Sequence, residues 1–401
     1  MSFEIGVRRS FPDDRPLPPS DPVLVERLRT RIEADGPITF AEFMATALTD
    51  PERGYYTTSD DRPSRTGDFL TAPELHPIFG AVLARMLVEQ WQILDRPDPF
   101  VLREDGAGSG ALAQSLLDAL AADGSDLLAA LVYAPVELSA GRVERIRERL
   151  RDAGHRHVVD RTVTLPGAGV AIANEFLDAL PVNRVEWRDG RLTELFVGWS
   201  AGEGSGGEGR LADVPGEPST PALGERLAAE GIVLDEGQRA EVCLGIEPWV
   251  AGLAATIGRG FVVIIDYGRP GSELYGPGRL GGSLRAYTGH RAHADPFVAV
   301  GRQDLTAHVD FTAVERALRA NGWRALGLTT QAEFLTGAGL GDLLRAQQAD
   351  PDLSAPDYLA LRSSVMRLLD PAALGAFRVL VGGRGVPEEV ELAGLRYRLR
   401  R

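Results

Sequence analysis

A glycine-rich turn constrains the fold of this chain more than any other feature. The turn, Glu104-Asp105-Gly106-Ala107-Gly108-Ser109-Gly110, follows the apolar residues 99–102 and precedes an Ala/Leu-rich helical pattern over residues 111–122. Glycine tolerates the backbone angles of a sharp reversal, and its missing Cβ lets a ligand approach the main chain. The following helix would present free N–H groups and the positive end of its dipole to that ligand. The segment therefore predicts a strand, a ligand-binding turn and a helix.

A second apolar run, residues 131–136, ends in Glu137. An acid at the tip of the second strand of a doubly wound sheet is placed to accept hydrogen bonds from ribose hydroxyls, which indicates a nucleoside-containing cofactor. Gly106, Gly108 and Ala111 fit the dinucleotide fingerprint, but Glu137 lies beyond the roughly 20 residues that this fingerprint expects. Gly110 completes the G-x-G-x-G form usual in S-adenosylmethionine (SAM) methyltransferases. These residues favour SAM and leave NAD and a ligand-free turn open.

Composition and charge exclude several classes of function. The chain has 401 residues and a net charge of −14, and non-specific nucleic-acid binding needs a basic face. Its one cysteine, Cys243, allows neither a disulfide framework nor a cysteine zinc site. His290 and His293 have no further ligands at metal-binding spacing, so we expect no metal. No apolar run reaches the ~18–20 residues of a membrane span. The N-terminus lacks the apolar segment of a secretory signal, and we expect a cytoplasmic protein.

The pattern along the chain predicts three regions: a flexible arm over residues 1–22, a helical cap over 23–95 and the cofactor-binding domain over 96–401. In the cap, Thr39 and Glu42 form a capping box. A long helix is predicted from Pro73 to Asp95 with Thr71 as its N-cap, and Gly67-Asp68 just outside it forms a candidate site loop. Within the domain, residues 182–235 form an insertion with a hairpin at Asp189-Gly190 and a flexible Gly-rich loop over 200–221. A second insertion, residues 269–310, would contact the substrate.

Polar side chains follow two further apolar runs. Asn174, Glu175 and Asp178 come after residues 169–173, and Asp266 comes directly after residues 260–265. The carboxyl ends of parallel strands meet at the ligand-binding edge of such a sheet, so we expect these side chains beside the cofactor. The remaining pattern predicts a short strand over 157–159, a helix over 238–257 and late strands over 323–329 and 377–381.

An ordered series of segments resembles the MidA-like class I SAM-dependent methyltransferases, a family that includes the mitochondrial complex I assembly-factor arginine methyltransferase. The resemblance spans roughly residues 32–318, and its most specific segment is N-E-F-L-D-A-L-P. The segments are P-I-T-F (37–40), G-Y-Y (54–56), G-D-F-L-T-A-P-E (67–74), E-D-G-A-G-S-G (104–110), V-E-L-S (136–139), A-N-E-F-L-D-A-L-P-V (173–182), I-D-Y-G (265–268), L-R-A-Y (284–287) and D-L-T-A-H-V-D-F (304–311).

The resemblance implies an α/β fold: a Rossmann-like, seven-stranded doubly wound sheet with a helical N-terminal segment and inserted substrate-binding elements. It implies SAM as cofactor and a protein arginine as methyl acceptor. A guanidinium is planar and cationic, and carboxylates grip it in a fork. Glu175 would bind and activate it, with Asn174, Asp178 and Asp266 nearby. The implied cofactor-binding residues are Asp68, Thr71, Glu104, Gly106, Gly108, Gly110, Glu137 and Asn174.

Other functions remain open at this point. Acceptors diverge on a shared fold, so a small molecule or peptide methylated on N or O is one alternative. A non-catalytic SAM-binding or cofactor-free assembly factor is another, because Asp105 stands where the family usually has an apolar residue and would put an acid beside the cofactor pocket. An NAD enzyme is the third. The expected partner is a protein, with a respiratory-complex subunit as one candidate; we expect no nucleic acid and no membrane span, and the sequence allows a homodimer.

Overall fold

The computed structural model describes residues 16–58, 71–201, 209–288 and 291–397. Its helices are α1 (Pro22–Asp35), α2 (Phe40–Thr49), α3 (Tyr55–Thr58), α4 (Ala72–Leu75), α5 (Ile78–Ile93), α6 (Ala111–Ala122), α7 (Leu127–Ala130), α8 (Ala140–Asp152), α9 (Arg156–Val159), α10 (Ala222–Ala229), α11 (Ile246–Leu253), α12 (Gly271–Leu274), α13 (Phe311–Ala320), α14 (Gln331–Gly337), α15 (Leu340–Gln348) and α16 (Ala355–Leu369). Its strands are β1 (Phe100–Asp105), β2 (Leu131–Val136), β3 (Gly167–Asn174), β4 (Asn183–Arg188), β5 (Arg191–Ser200), β6 (Arg210–Gly216), β7 (Arg239–Val242), β8 (Ile257–Asp266), β9 (Gly268–Arg269), β10 (Arg285–Thr288), β11 (Arg291–His293), β12 (Asp304–Thr306), β13 (Val309–Asp310), β14 (Arg324–Thr330) and β15 (Arg378–Arg384).

A central sheet with the strand order β14-β15-β8-β3-β1-β2 carries the fold. Strands β2, β1, β3 and β8 are parallel, and β15 runs antiparallel to both of its neighbours. Continuous apolar runs such as that of β8 suit a sheet covered on both faces. Helices α5, α6, α8 and α14–α16 contribute to the core on one face, and α11 and α13 to the core on the other. The predicted α/β sheet and its late strands are confirmed.

The described part of this sheet has six strands, whereas seven were predicted. The strand expected over residues 157–159 is a helical turn, α9. Val158 and Val159 are both buried in the core beside β2. Successive side chains of a strand point to opposite faces, so a helical turn buries this neighbouring pair in one core where an extended edge strand would not.

The N-terminal helices form a separate cluster with strands β5, β10 and β12. The predicted capping box of Thr39 and Glu42 is present at the start of α2. The single helix predicted over residues 73–95 is divided into α4 and α5. His76 is extended between them because the following proline disfavours helical backbone at the preceding residue. Residues 1–15 of the predicted arm lie outside the described residues, and Ser20 and Asp21 are hydrogen-bonded to Val300.

A second sheet, β6-β5-β4-β7, is inserted between β3 and β8. The hairpin predicted at Asp189-Gly190 joins β4 to β5. Two predictions here are wrong. Residues 210–216, expected within a flexible loop, form β6, because β5 supplies their backbone partners. The helix expected over 238–257 is confined to α11, because residues 239–242 pair with β4 as β7. Cross-strand pairing therefore overrides local composition in this insertion.

Candidate active site

The glycine turn between β1 and α6 is shaped to admit a ligand. Gly106, Gly108 and Gly110 have φ values of 67°, 58° and 77°, which other residues adopt rarely. A Cβ on Gly106 would lie 2.9 Å from Phe176, and one on Gly110 would lie 3.0 Å from Ile146. A Cβ on Gly108 would meet only the Gly106 carbonyl, at 3.8 Å. The first and third glycines thus allow close packing, and the middle one leaves the turn open.

Glu137, at the tip of β2, is held against this turn. Its Oε1 accepts the Gly108 N–H at 2.6 Å, and its Oε2 accepts the Leu138 N–H at 3.1 Å. Arg142 lies 3.5 Å from the same carboxylate and also donates to the carbonyl oxygen of Tyr56. Because Tyr56 belongs to α3, this arginine connects the N-terminal helices to the glycine turn.

Glu104 and Asp105 are neighbours on β1 but face opposite sides of the sheet, as alternation along a strand requires. Glu104 accepts the Tyr133 hydroxyl, and burial, opposed by this bond and reinforced by Glu137, raises the pKa of its carboxyl to about 7. Asp105 accepts two hydrogen bonds from Arg103, at 2.9 and 2.8 Å. Arg103 also donates to Gly252 and Thr256. Asp105 is therefore a buried partner of Arg103, and the expectation of an acid beside the cofactor pocket is wrong.

Helix α4 covers the glycine turn from the N-terminal side. Thr71 occupies its N-cap position without a side-chain capping bond. Burial raises the pKa of the Glu74 carboxyl, and the nearby Arg149, Ser109 and Thr71 oppose the rise. Thr71, at the start of α4, and Ser109, in the glycine turn, thus lie near the same carboxyl. Asp68, the other residue predicted in this loop, lies outside the described residues.

Glu175 follows β3 in a strained conformation. Its φ of 51° is unusual for a residue with a side chain, and such strain concentrates at functional sites. Its N–H donates to the Ile265 carbonyl at 2.8 Å. Its Oε1 accepts the Ala72 N–H and the Asn174 side-chain amide, each at 3.1 Å. Burial, reinforced by the nearby Asp178, raises the pKa of this carboxyl to about 8. Asn174 and Glu175 are therefore hydrogen-bonded to each other at the carboxyl end of β3.

Asp266, at the tip of β8, holds the turn that follows Glu175. Its Oδ2 accepts the backbone N–H groups of Phe176, Leu177 and Asp178 at 2.9–3.3 Å, and its Oδ1 accepts that of Tyr267 at 2.9 Å. The side chain is fully buried. Burial and the carboxyls of Asp178 and Glu175 raise its pKa, and the backbone donors oppose the rise. This geometry suits a positioning residue.

Further acids and tyrosines meet beside this turn. The Tyr267 hydroxyl donates to Asp178, and the Tyr56 hydroxyl donates to Asp304 at 2.7 Å. Burial raises the pKa of both hydroxyls, reinforced by Asp178 in each case. Burial also raises the pKa of Asp178 to about 6. We call Glu175, Asp178, Asp304, Tyr56 and Tyr267 the acceptor cluster. Its carboxylates and hydroxyls suit a cationic, hydrogen-bonding group.

Three members of the acceptor cluster were not predicted as site residues. Tyr56, Tyr267 and Asp304 come from α3, the end of β8 and β12. All three lie in segments that carry the family resemblance, which was the available signal. Tyr56 and Asp304 are 248 residues apart in sequence, so no local spacing predicts their hydrogen bond.

The described residues provide no group of three or more His, Cys, Asp and Glu side chains able to hold a metal ion. His290 lies outside those residues. Among the helices of the described ranges, none has the length and apolar character required to cross a bilayer.

The family profile of S-adenosyl-L-methionine-dependent methyltransferases matches residues 82–329. The chain belongs to this family. The methyltransferase is 30% identical to the mitochondrial protein arginine methyltransferase NDUFAF7 homolog of Drosophila melanogaster, over 90% of this chain and 85% of that one. It is 28% identical to the human mitochondrial protein arginine methyltransferase NDUFAF7, over 82% and 75% of the two chains. The structure of a COG1565 superfamily member from Burkholderia thailandensis, bound to S-adenosyl-homocysteine, superimposes with a TM-score of 0.83 at 34% identity, and the match covers 96% of this chain and 99% of that one.

These comparisons confirm two predictions and overturn a third. The family membership and SAM as its cofactor, both predicted from the motifs, are confirmed, and the NAD alternative falls with them. The expectation of a cytoplasmic protein is wrong by the same comparisons, because the fly and human relatives are mitochondrial.

Proposed function

We propose that this methyltransferase transfers the methyl group of SAM to a guanidinium nitrogen of an arginine in a partner protein. The observation that carries the proposal is the acceptor cluster, where three carboxyl groups and two tyrosine hydroxyls meet beside the turn after β3. The names of the fly and human relatives, which are protein arginine methyltransferases, support the same acceptor.

The residues at the tips of β1 and β2 fit the cofactor. The open side of Gly108 leaves room against the main chain, and the buried Glu137 carboxylate lies next to it. We propose that Gly106, Gly108 and Gly110 pass backbone beside the methionine portion, and that Glu137 accepts the ribose hydroxyls. Glu104 and Asn174 are candidates for orienting the turn and the methionine end. When bound, SAM supplies an electrophilic methyl group on a sulfonium centre.

Glu175 is the residue we propose to bind and activate the arginine. A carboxylate with a pKa raised to about 8 by burial gains strongly from a cation, because the opposite charge restores its ionised form. One guanidinium N–H then points at Glu175, which localises the lone pair on the attacking nitrogen. In the transfer the N–C bond would form as the S–C bond breaks, the electron pair of that bond would stay on sulfur, and the nitrogen proton would pass to Glu175. Asp266 holds the turn in place by its backbone hydrogen bonds.

Asp178 and Asp304 would complete the grip on the cation. Each already accepts a tyrosine hydroxyl, which fixes its orientation before the substrate arrives. Catalysis of this transfer rests mainly on positioning, and prearranged acceptors supply it. The resemblance makes a respiratory-complex subunit the first partner to test. A homodimer and the domain limits given above stay predictions, checked by sedimentation and limited proteolysis.

Transfer of an isotopically labelled methyl group tests the proposal. The purified chain is incubated with methyl-labelled SAM and proteins offering arginine, lysine and carboxyl acceptors, and the label is located by mass spectrometry. We expect the label on arginine nitrogen, lost in Glu175→Gln and kept in Glu225→Gln, which makes the same change at an exposed position on α10. Label confined to another acceptor would contradict the arginine assignment. S-adenosylhomocysteine binding without any transfer would support the assembly-factor alternative.

A further inference from the structure

Arg269, Arg279 and Arg285, which we call the arginine group, lie near enough to His308 at the edge of the acceptor cluster to act on its charge. Arg269 lies on β9, which pairs with β13 directly after His308, and Arg285 begins β10. Arg279 lies in the loop between them. The His308 ring packs edge-on against Tyr267, with ring centres 5.4 Å apart. The backbone N–H of His308 donates to the Ser283 hydroxyl oxygen. Tyr267 in turn contacts Asp178, so this arginine group adjoins the acceptor cluster.

The positive charge of this group is only partly balanced. Arg269 pairs with Glu273 at 3.2 Å, but its Nε is buried without a hydrogen-bond partner. Arg285 donates to the carbonyl of its own neighbour, Leu284. Burial lowers the pKa of His308 to about 4, and all three arginines contribute to the shift, which keeps the ring neutral. Its Nδ1 is also buried and unpartnered. Unpartnered buried polar atoms beside cationic groups indicate a place for an anion.

Strands β10 and β12 connect this group to the acceptor cluster. Arg285 pairs with Thr306 and Tyr287 pairs with Asp304, and directly opposite residues share a face. The Thr306 hydroxyl is buried without a partner. Alternate residues on a strand share a face as well, so Arg285 and Thr306 lie about 7 Å along the strand from Tyr287 and Asp304. One face thus carries a basic end, at Arg285, and an acidic end, at Asp304, at the spacing of alternate residues in an extended peptide.

We propose that Arg279 and Arg285, with Thr306, bind the carboxylate of an Asp or Glu located two residues from the target arginine in the substrate protein. The extended substrate places the arginine in the acceptor cluster and the acid on the arginine group. Glu241 and Glu273 lie near Arg279, which limits the net positive charge and suits one carboxylate rather than a doubly charged phosphate. This inference rests on the proposed arginine acceptor and specifies its sequence context.

Matched peptides test the specificity. Each peptide carries one arginine in an alanine background, with Glu, Gln, Lys or phosphoserine two residues before or after it. Methyl transfer from labelled SAM gives kcat/KM for each. Charge-assisted hydrogen bonds predict about a ten- to hundredfold preference for Glu over its isostere Gln, with Lys lowest. The Arg279→Ala/Arg285→Ala protein is expected to lose this preference. Arg362→Ala, an exposed arginine of α16, should keep it.

A charge reversal separates recognition from damage to the fold. Arg285→Glu is expected to prefer the Lys peptide while S-adenosylhomocysteine still raises its melting temperature. Equal rates with Glu, Gln and Lys, a preference unchanged in the double variant, or a stronger preference for phosphoserine would overturn the carboxylate assignment and leave arginine methylation standing. No label on any peptide would overturn the arginine acceptor and, with it, this inference.

Discussion

The two halves of the candidate site are built by different means. At the tips of β1 and β2, the turn relies on backbone: three glycines with positive φ and a glutamate bonded to a main-chain N–H. At the tips of β3 and β8, the site is formed by side chains. Buried carboxyl groups with raised pKa values contact tyrosines from distant segments of the chain. We call these the cofactor edge and the acceptor edge. A shared cofactor needs only a constant backbone shape, whereas an acceptor is selected by charge and hydrogen bonding.

We expect the largest effect from Glu175→Gln, which changes the acceptor edge and leaves the cofactor edge intact. Glu175→Gln keeps an acceptor for the Ala72 N–H but cannot take a proton or pair with a cation. Because general-base groups contribute about 10²- to 10⁴-fold, kcat for arginine should fall by that factor. Initial rates with labelled SAM measure it, and Glu225→Gln is the matched control. A wild-type rate in Glu175→Gln would remove Glu175 from the mechanism.

Asp105→Ala tests whether an acid next to the cofactor turn belongs to the cofactor edge. The change leaves Arg103 buried without its partner, and breaking a buried ion pair costs about 3–5 kcal/mol of unfolding free energy. Affinity for S-adenosylhomocysteine should stay unchanged, since Asp105 faces away from the turn. Denaturant unfolding and titration calorimetry measure the two quantities. Asp123→Ala, at an exposed position, should change neither. A lower affinity for S-adenosylhomocysteine with an unchanged free energy of unfolding would show that Asp105 acts on the cofactor.

Glu137→Ala should weaken the cofactor edge alone. The change removes the acceptor of the Gly108 N–H and the proposed hydrogen bonds to ribose, so KM for SAM should rise about 10- to 100-fold. The rate at saturating SAM should change less, because Glu175 is untouched. Glu144→Ala, an exposed glutamate on α8, serves as the control. If the rate at saturating SAM fell as far as it does in Glu175→Gln, the two edges could not be separated.

The pH dependence sharpens the account of the acceptor edge. Burial raises the pKa of Glu175 to about 8, so the unliganded protein holds this carboxyl protonated at lower pH. Only the ionised form pairs with a guanidinium, and kcat/KM for the acceptor should rise up to tenfold per pH unit toward pH 8 and level off above it. Rates across pH 6–9.5 check this, and KM for SAM should vary less. A profile that falls over the same range would contradict the assignment.

The same shift predicts a stability slope. An acid with a folded-state pKa above its unfolded value binds its proton more tightly in the folded state. Its contribution to stability is complete below about pH 4.5 and is lost as pH rises through 8. Denaturant unfolding should show a smaller decline for Glu175→Gln than for wild type across this range. Equal declines would show that Glu175 is not buried with a raised pKa.

The cofactor edge could be predicted from sequence because its residues are nearly consecutive. Gly106, Gly108 and Gly110 lie in one turn, and Glu137 ends the next strand. The placement of Asn174, Glu175 and Asp266 at the same edge of the sheet followed from a single rule, because the carboxyl ends of parallel strands meet at one edge. The role of Asp105 could not be predicted, because the face it occupies depends on strand register and on Arg103. Tyr56 and Asp304 could not be paired, because they are 248 residues apart and Asp304 lies on β12, in an insertion for which no strand was predicted.

Cofactor binding should depend on the cofactor edge, and acceptor chemistry on the acceptor edge. Calorimetric titration of S-adenosylhomocysteine into wild type, Glu137→Ala and Glu175→Gln tests this separation most directly. We expect wild-type affinity in Glu175→Gln and a loss of about 10- to 100-fold in Glu137→Ala. Equal loss in both variants, or full affinity in Glu137→Ala, would contradict it.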